Sequence, residues 1–274
     1  MIVERRMTAM VERAEAAAWV DMFELVEADV RKSAGLDVRR YNAATALMAS
    51  NVDTLAVNRI LGLGLDTPLA YDVLDDVIAY YRERGVRRFA LQWCPAAEPS
   101  STEAGLTTAG FHLLPPSIKL CRVSDPSFFI DGEWPRVVEI GRGQATTFET
   151  TVCAGLGVPP ALVRTVSAPI GDPSWKYYLA YDGAEAIGGA ALCARGEVAW
   201  CGLAATLPHA RRRGVQSALV AHRVREAAAL GCQWVSADTI AETSERPNQS
   251  LRNMQRLGFD VIYERKNYIL PIAS

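Results

Sequence analysis

The stretch Thr206-Leu207-Pro208-His209-Ala210-Arg211-Arg212-Arg213-Gly214-Val215-Gln216-Ser217 sets three arginines and a glycine directly before an apolar helical run. A helix start leaves its first backbone N–H groups without partners and carries partial positive charge, so it is a ready anion site. Gly214 permits backbone conformations and close approaches that a side chain blocks. Arg211, Arg212 and Arg213 add charge suited to phosphate oxygens, and Ser217 brings a hydroxyl into the first helical turn. The ligand that fits such a loop is a pyrophosphate. Taken alone, Arg-x-x-Gly is more often a solvated basic turn, and the flanking residues must separate the two readings.

Around the loop, EVAWCGLAATLP reads as a strand, SALVAHRVREAAALG as a helix ending at Gly231, and CQWVSADT as the next strand. A further helix from about Asn248 leads into Leu257-Gly258-Phe259, and residues 259–270 read as a closing strand pair. Upstream, residues 144–156 suggest a helix, WKYYLAYDG a strand ending in an Asp-Gly turn, and AEAIGGAALCARG a strand with Gly188-Gly189 in its interior. The first half opens with helical periodicity over residues 4–34, stopped before Gly35. Strands follow at 43–49 and 56–65, then the helix DVLDDVIAYYRERG, the strand RRFALQW and a short helix from Thr102. AGFHLLPPSIKLCR reads as a strand pair broken by Pro115-Pro116, and Ser124 to Pro135 as a linker.

The halves share an order. GLGLDTP precedes a helix ended by Gly85, then RRFALQW, then a helix ended at Gly110-Phe111. GLAATLP precedes a helix ended by Gly231, then CQWVSAD, then a helix ended at Gly258-Phe259. The paired glycines are 25 residues apart in one half (85 to 110) and 27 in the other (231 to 258). This is the pattern of a domain-scale duplication.

The second half resembles the GNAT superfamily of N-acetyltransferases over about residues 136–270. Their signature after the fourth strand is Gln or Arg, two residues, Gly, one residue, then Gly or Ala. Here it is met by Arg211 and Gly214, with Gln216 at the last place, and Thr206 and Pro208 precede it. Asn248, Ser250, Asn253 and Leu257-Gly258-Phe259 fall at the family's spacings downstream. The resemblance implies an α+β fold of three layers, two GNAT-like domains each with a twisted, mixed, mostly antiparallel sheet flanked by helices. Domain boundaries are expected at 1–125, a linker at 126–135, and 136–274. It also implies acetyl-CoA as cosubstrate. Backbone N–H groups of Arg212, Arg213, Gly214, Val215, Gln216 and Ser217 would hold the diphosphate. Ala204, Ala205 and Thr206 would pair with the pantetheine arm between two splayed strands, faced by Asn253 and Asn248. Gln216 leaves those backbone donors in place.

Both usual proton-handling places differ from the family. The mid-strand carboxylate, eleven residues before the loop, is Trp200, and the tyrosine four residues before the LGF glycine is Met254. Tyr263 is the candidate substitute acid, although a strand tyrosine at that spacing is more often core. Glu197 and His209 lie near but are not positioned as bases by the pattern, so the catalytic residues stay unknown. At pH 7, deprotonating a lysine-like amine costs roughly 4.6 kcal/mol and an α-amino group about 1. The missing base therefore matters more for the first class of acceptor.

The corresponding loop of the first half, GLGLDTPLAYDVLDD, has no Arg-x-x-Gly. Asp66, Asp72, Asp75 and Asp76 suit a helix dipole there and repel a diphosphate, so this half reads as a degenerate copy without cofactor. The expected function is acetyl transfer from acetyl-CoA to an amine of a small molecule or a protein N-terminus. The alternative is a pseudoenzyme or sensor that binds CoA or acetyl-CoA without efficient turnover. Six scattered cysteines, three distant histidines and no CxxC pair point to no metal. With a net charge of −2, no basic stripe and no apolar run of spanning length, neither nucleic acid nor membrane is expected as a partner. The chain is expected in the cytoplasm, as a monomer or homodimer.

Overall fold

The computed structural model describes residues 2–42, 44–65, 71–97 and 101–272. They fall into two compact units, residues 1–117 with 263–274, and residues 118–262.

Unit 1 begins with helices α1 (Ile2–Glu24) and α2 (Ala28–Ala34). Strands β1 (Leu36–Tyr41), β2 (Ala44–Ala49) and β3 (Arg59–Leu61) follow, then helix α3 (Tyr71–Arg82) and strand β4 (Arg88–Trp93). Helix α4 (Ser101–Thr108) leads into β5 (His112–Val123), which continues into unit 2. The last strand of the chain, β11 (Asp260–Pro271), enters this unit from Tyr263 and pairs antiparallel with β4, Lys266 opposite Trp93 and Pro271 opposite Arg88. The strand order is β1-β2-β3-β4-β11, antiparallel except for β3 and β4. That parallel pair requires the crossover that α3 supplies. Leu74, Val77 and Tyr81 of α3 pack on Ile60, Phe89 and Leu91.

Unit 2 holds β6 (Arg136–Ile140), then short helical segments α5 (Ala145–Phe148), α6 (Ala154–Leu156) and α7 (Val163–Ser167). A π-helical turn at Glu149–Cys153 joins α5 to α6. Strands β7 (Trp175–Asp182), β8 (Glu185–Arg195) and β9 (Val198–Thr206) form a meander. Helix α8 (Val215–Ala229), strand β10 (Trp234–Ile240) and helix α9 (Gln249–Arg256) complete it. The order is β5-β10-β9-β8-β7-β6, with β9 and β10 the parallel pair and α8 their crossover. One face is sealed by Val215, Leu219, Val220 and Val224 of α8 against Ala199, Cys201, Val235 and Ala237.

Both units are thus mixed, mostly antiparallel sheets flanked by helices, built in the same order. Several elements differ from the sequence reading. β5 runs unbroken through Pro115 and Pro116, and β11 is one twelve-residue strand, because neither stretch holds a turn that closes. The run 56–65 contributes only Arg59–Leu61 as strand, since Gly62 and Gly64 take positive φ and turn the chain. The helix expected over 144–156 is interrupted by the π turn. Asp66 and the side chain of Asp72 lie outside the described residues.

Candidate functional site

The site is built where β9 and β10 part. Their parallel pairing joins Val198, Ala199 and Trp200 to Trp234, Val235 and Ser236, whereas β9 runs on to Thr206 and β10 to Ile240. Past Trp200, β9 bulges: Ala191 faces Gly202 and Gly189 faces Ala205, so Leu203 and Ala204 oppose the single residue Ala190. Leu203 takes φ 48° to make that bulge, which adds local twist and turns the strand end out of the ladder. Ala204 is exposed, Ala205 and Thr206 are half-buried, and Asp238 and Ile240 across the gap are exposed. Open strand edges of this kind pair with an extended ligand. Gly188 lets β9 and α8 close down on β8, since a β-carbon there would lie 2.6 Å from Val215 Cγ1 and 2.9 Å from the Ala205 carbonyl oxygen.

At the end of β9 a short turn, Pro208–Ala210, leads into the arginine loop. Arg211 is extended, Arg212 takes φ 62°, and Gly214 takes φ 75° as the residue capping α8. Left-handed residues alternating with others make successive N–H groups converge into an anion-binding concavity, here continuous with the start of α8. An arginine held at positive φ is strained, a condition that collects at functional sites. The three arginines are not equivalent. All three are exposed, but Arg213 Nη2 donates to Asp182 Oδ2 at 2.6 Å. His209, also exposed, lies 3.2 Å from Glu185.

Gln216 turns away from the loop toward α9. Its amide nitrogen donates to Ser250 Oγ at 2.7 Å and its oxygen accepts from Asn253 Nδ2 at 3.1 Å. Asn253 Oδ1 accepts from Ser217 Oγ and Arg256, so Asn253 ties α9 to the first turn of α8. Asn248 caps α9 by accepting from Leu251 N, and its Nδ2 donates to Thr239 Oγ1 and the Ile240 carbonyl. It thereby anchors the far end of β10, on the open side of the gap.

On the sheet face opposite α8, Trp200 folds over its own strand; a β-carbon at Gly202 would lie 1.9 Å from the indole. Its Nε1 donates to Asp238 Oδ1 at 3.3 Å, and the buried Lys119 ammonium lies 3.9 Å from the same oxygen. Asp238 is the carboxylate that sequence reasoning missed. Its only local signal is the two-residue step from Ser236, which faces Trp200. Met254 is buried in the core of the unit. Tyr263 falls in unit 1, where its hydroxyl donates to Glu12 Oε1 at 2.6 Å. Burial and the Glu12 carboxylate push its phenol well above the ordinary value, which makes it a poor proton donor to a thiolate. Glu197 lies in the turn before β9, its carbonyl accepting from Gln233 N and Trp234 N. The six cysteines are buried, as their apolar surroundings suggest.

Residues 155–259 match the family model of the acetyltransferase (GNAT) family. No curated protein matches the sequence. Among solved structures, a GCN5-related N-acetyltransferase from Kribbella flavida is similar over 95% of this chain and 96% of its own, with 14% identity and a TM-score of 0.65. One from Sphaerobacter thermophilus covers 89% of this chain and 84% of its own, at 15% identity and a TM-score of 0.59. A tandem GNAT protein from the clavulanic acid biosynthesis pathway covers 84% and 79%, at 13% identity and a TM-score of 0.56. These likenesses establish the fold over nearly the whole chain.

Proposed function

Starting from the premise that residues 155–259 form a domain of the GNAT acetyltransferase family, we propose that unit 2 binds acetyl-CoA and transfers its acetyl group to an amine. The observation that carries this reading is the coincidence of an open strand gap with a positive-φ anion nest at one helix start. A diphosphate fits the N–H groups of Arg212 to Ser217, and an amide-bearing arm fits between the diverging strand ends Ala204–Thr206 and Asp238–Thr239. The acceptor is an amine of a small molecule or a peptide N-terminus, and the protein works in the cytoplasm as a monomer or homodimer.

The amine nitrogen attacks the thioester carbonyl carbon, the C–N bond forms, the C–S bond breaks, and the thiolate leaves to be protonated. Backbone N–H groups of the bulge at Leu203–Ala205 are placed to stabilise the oxyanion of the tetrahedral adduct. Trp200 fills the sheet face beside it and holds Asp238 through its indole N–H. Asp238 then receives the acceptor's ammonium next to the gap, and the proton leaves through solvent. Such a site favours acceptors of modest pKa, because a lysine-like amine starts about 3–4 kcal/mol behind an α-amino group.

The test is thiol release from acetyl-CoA with a mixed panel of amines, followed by a pH profile of kcat/KM for paired low- and high-pKa acceptors. A rate that rises with pH supports the reading. Efficient transfer to the high-pKa amine, flat from about pH 6.5 to 8.5, shows a strong base that this account lacks. Tight acetyl-CoA binding with no transfer to any amine identifies a binding module instead.

A further inference from the structure

An acceptor reaches the strand gap from the face opposite α8. On the α8 side, Val215 and Leu219 pack on Cys201 and Ala237. The Trp134 ring also stands against the helix start, since a β-carbon at Gly214 would lie 2.2 Å from Trp134 Cζ3. The opposite face is bounded by the π turn and α6. A β-carbon at Gly189 would lie 2.8 Å from Val152 Cγ2 of that turn, and one at Gly155 would lie 2.6 Å from Ala205 Cβ. Helix α6 is therefore seated on the bulged end of β9, and π turns of this kind are frequent at functional sites. Leu156, the next residue, is 46% exposed. Across the gap, Ser236, Asp238 and Ile240 alternate onto the face of Trp200, and Ile240 is 61% exposed. Two bare aliphatic side chains thus flank an approach that ends at the Trp200 indole and the Asp238 carboxylate.

The charge at this approach is nearly balanced. The buried Lys119 ammonium lies 3.9 Å from Asp238 Oδ1. Glu149, in the π turn before Leu156, accepts from Ser167 Oγ, and Glu242, two residues past Ile240, receives the Arg252 guanidinium. Arg211 and Arg212 stand exposed beyond the end of β9. One ammonium can be met by Asp238. A second would face aliphatic carbon or a guanidinium, and nothing there offsets its lost hydration.

We propose that the acceptor is a monoamine on an apolar body, such as an α-amino compound with an aliphatic side chain, and not a polyamine or an amino sugar with several ammonium groups. The nitrogen lies between Asp238 and the bulge, and the body lies against Leu156 and Ile240. The proposal rests on the reading of unit 2 as an acetyltransferase. An added methylene in an apolar site raises kcat/KM about tenfold or more, so two aliphatic walls are enough to select such a body.

The test uses the intact chain, acetyl-CoA and three α-amino amides: L-leucinamide, glycinamide and L-argininamide. Wild type should prefer L-leucinamide to each of the others by about tenfold or more in kcat/KM. Leu156→Ser and Ile240→Ser alter exposed side chains and should spare the fold. Each should narrow the preference for L-leucinamide, through KM more than kcat. Leu156→Glu should shift the preference toward L-argininamide. Equal or better transfer to L-argininamide by wild type overturns the apolar-body assignment while the transferase reading stands. A loss shared equally by the three amides in the two serine variants also overturns it. Transfer to none of the three by a wild type that binds acetyl-CoA in calorimetry removes the transferase reading and this assignment together.

Discussion

Two units that follow the same order of elements end their parallel strand pairs in opposite ways. In unit 2, β9 continues past its last residue paired with β10 into the exposed and half-buried Ala204, Ala205 and Thr206, and the arginine loop follows. In unit 1, β3 is followed by Gly62, Leu63, Gly64 and Leu65, all buried, with Leu63 2% and Leu65 8% exposed. Leucines fill in one unit what alanines leave open in the other. Unit 1 also spends charge inwardly. Glu12 and Glu15 of α1 and Arg265 of β11 are buried together, with Arg265 Nη1 donating to Glu15 Oε2 at 2.6 Å and to Glu12 Oε2 at 3.2 Å. Arg59, 3.8 Å from Glu15, stacks over Trp19. Unit 1 thus buries an ion-pair cluster, whereas unit 2 leaves the strand end before its arginine loop accessible. On the proposed function, this difference assigns ligand binding to unit 2.

The largest expected effect breaks the comparison on the unit 1 side. Arg265→Ala strands two buried carboxylates and should cost about 3–5 kcal/mol of stability, read by thermal or urea denaturation. Acetyl-CoA affinity of the protein that remains folded should not change. An unaltered Tm would mean that the buried network is not what completes unit 1.

Gly214→Asp attacks the other side. It places a β-carbon against Trp134 and a carboxylate beside an anion site, and it should weaken acetyl-CoA more than about a hundredfold, or 2.7 kcal/mol. The fold should survive, as judged by circular dichroism. Wild-type affinity in this variant would remove the loop from the site. Arg213→Ala should be milder, since Arg213 already pairs with Asp182 and the backbone donors remain.

Asp238→Asn sharpens the account of the acceptor side. It keeps the indole contact but removes the charge, and kcat/KM for a lysine-like amine should fall about tenfold, the size of one charge-assisted contact. Acetyl-CoA binding should hold. An equal fall for a neutral nucleophile such as hydroxylamine would mean that Asp238 shapes the gap without meeting a cation.

The smallest effect concerns His222. Burial, with help from the Arg225 charge, lowers its pKa below the ordinary value. The unfolded chain then binds the extra proton first, so stability is complete above about pH 6.5 and declines as pH falls from there through the lower folded value. His222→Gln should flatten that decline in denaturation measured between pH 7 and 5; an unchanged slope would assign it to other groups.

What could be read from the residues was what local chemistry dictates. The arginine loop, α8, α9 and the glycines ending α3 and α8 are written in contiguous stretches, so spacing alone reveals them. The strands β1 and β6 escaped notice because they are outermost in their units, and edge strands such as LDVRRY and RVVEI mix polar and apolar residues without clear alternation. β5 and β11 read as pairs in the sequence because Pro115-Pro116 and the polar residues around Asn267 mimic turns. In the structure, Asn267 instead donates to the Pro115 carbonyl and Ser117 Oγ. Asp238 was invisible for a deeper reason. Its meaning depends on where pairing between β9 and β10 stops, and that is set by a bulge on the far side of β9. Trp134 was likewise hidden, since nothing in a turn-rich segment says that its ring covers Gly214.

The asymmetry between the units is tested most directly by titrating the intact chain with acetyl-CoA in a calorimeter, for wild type and Gly214→Asp side by side. The account predicts one site per chain in the wild type and none in the variant. Two sites in the wild type, or one site that persists after Gly214→Asp, would contradict the assignment of the cofactor to unit 2 alone.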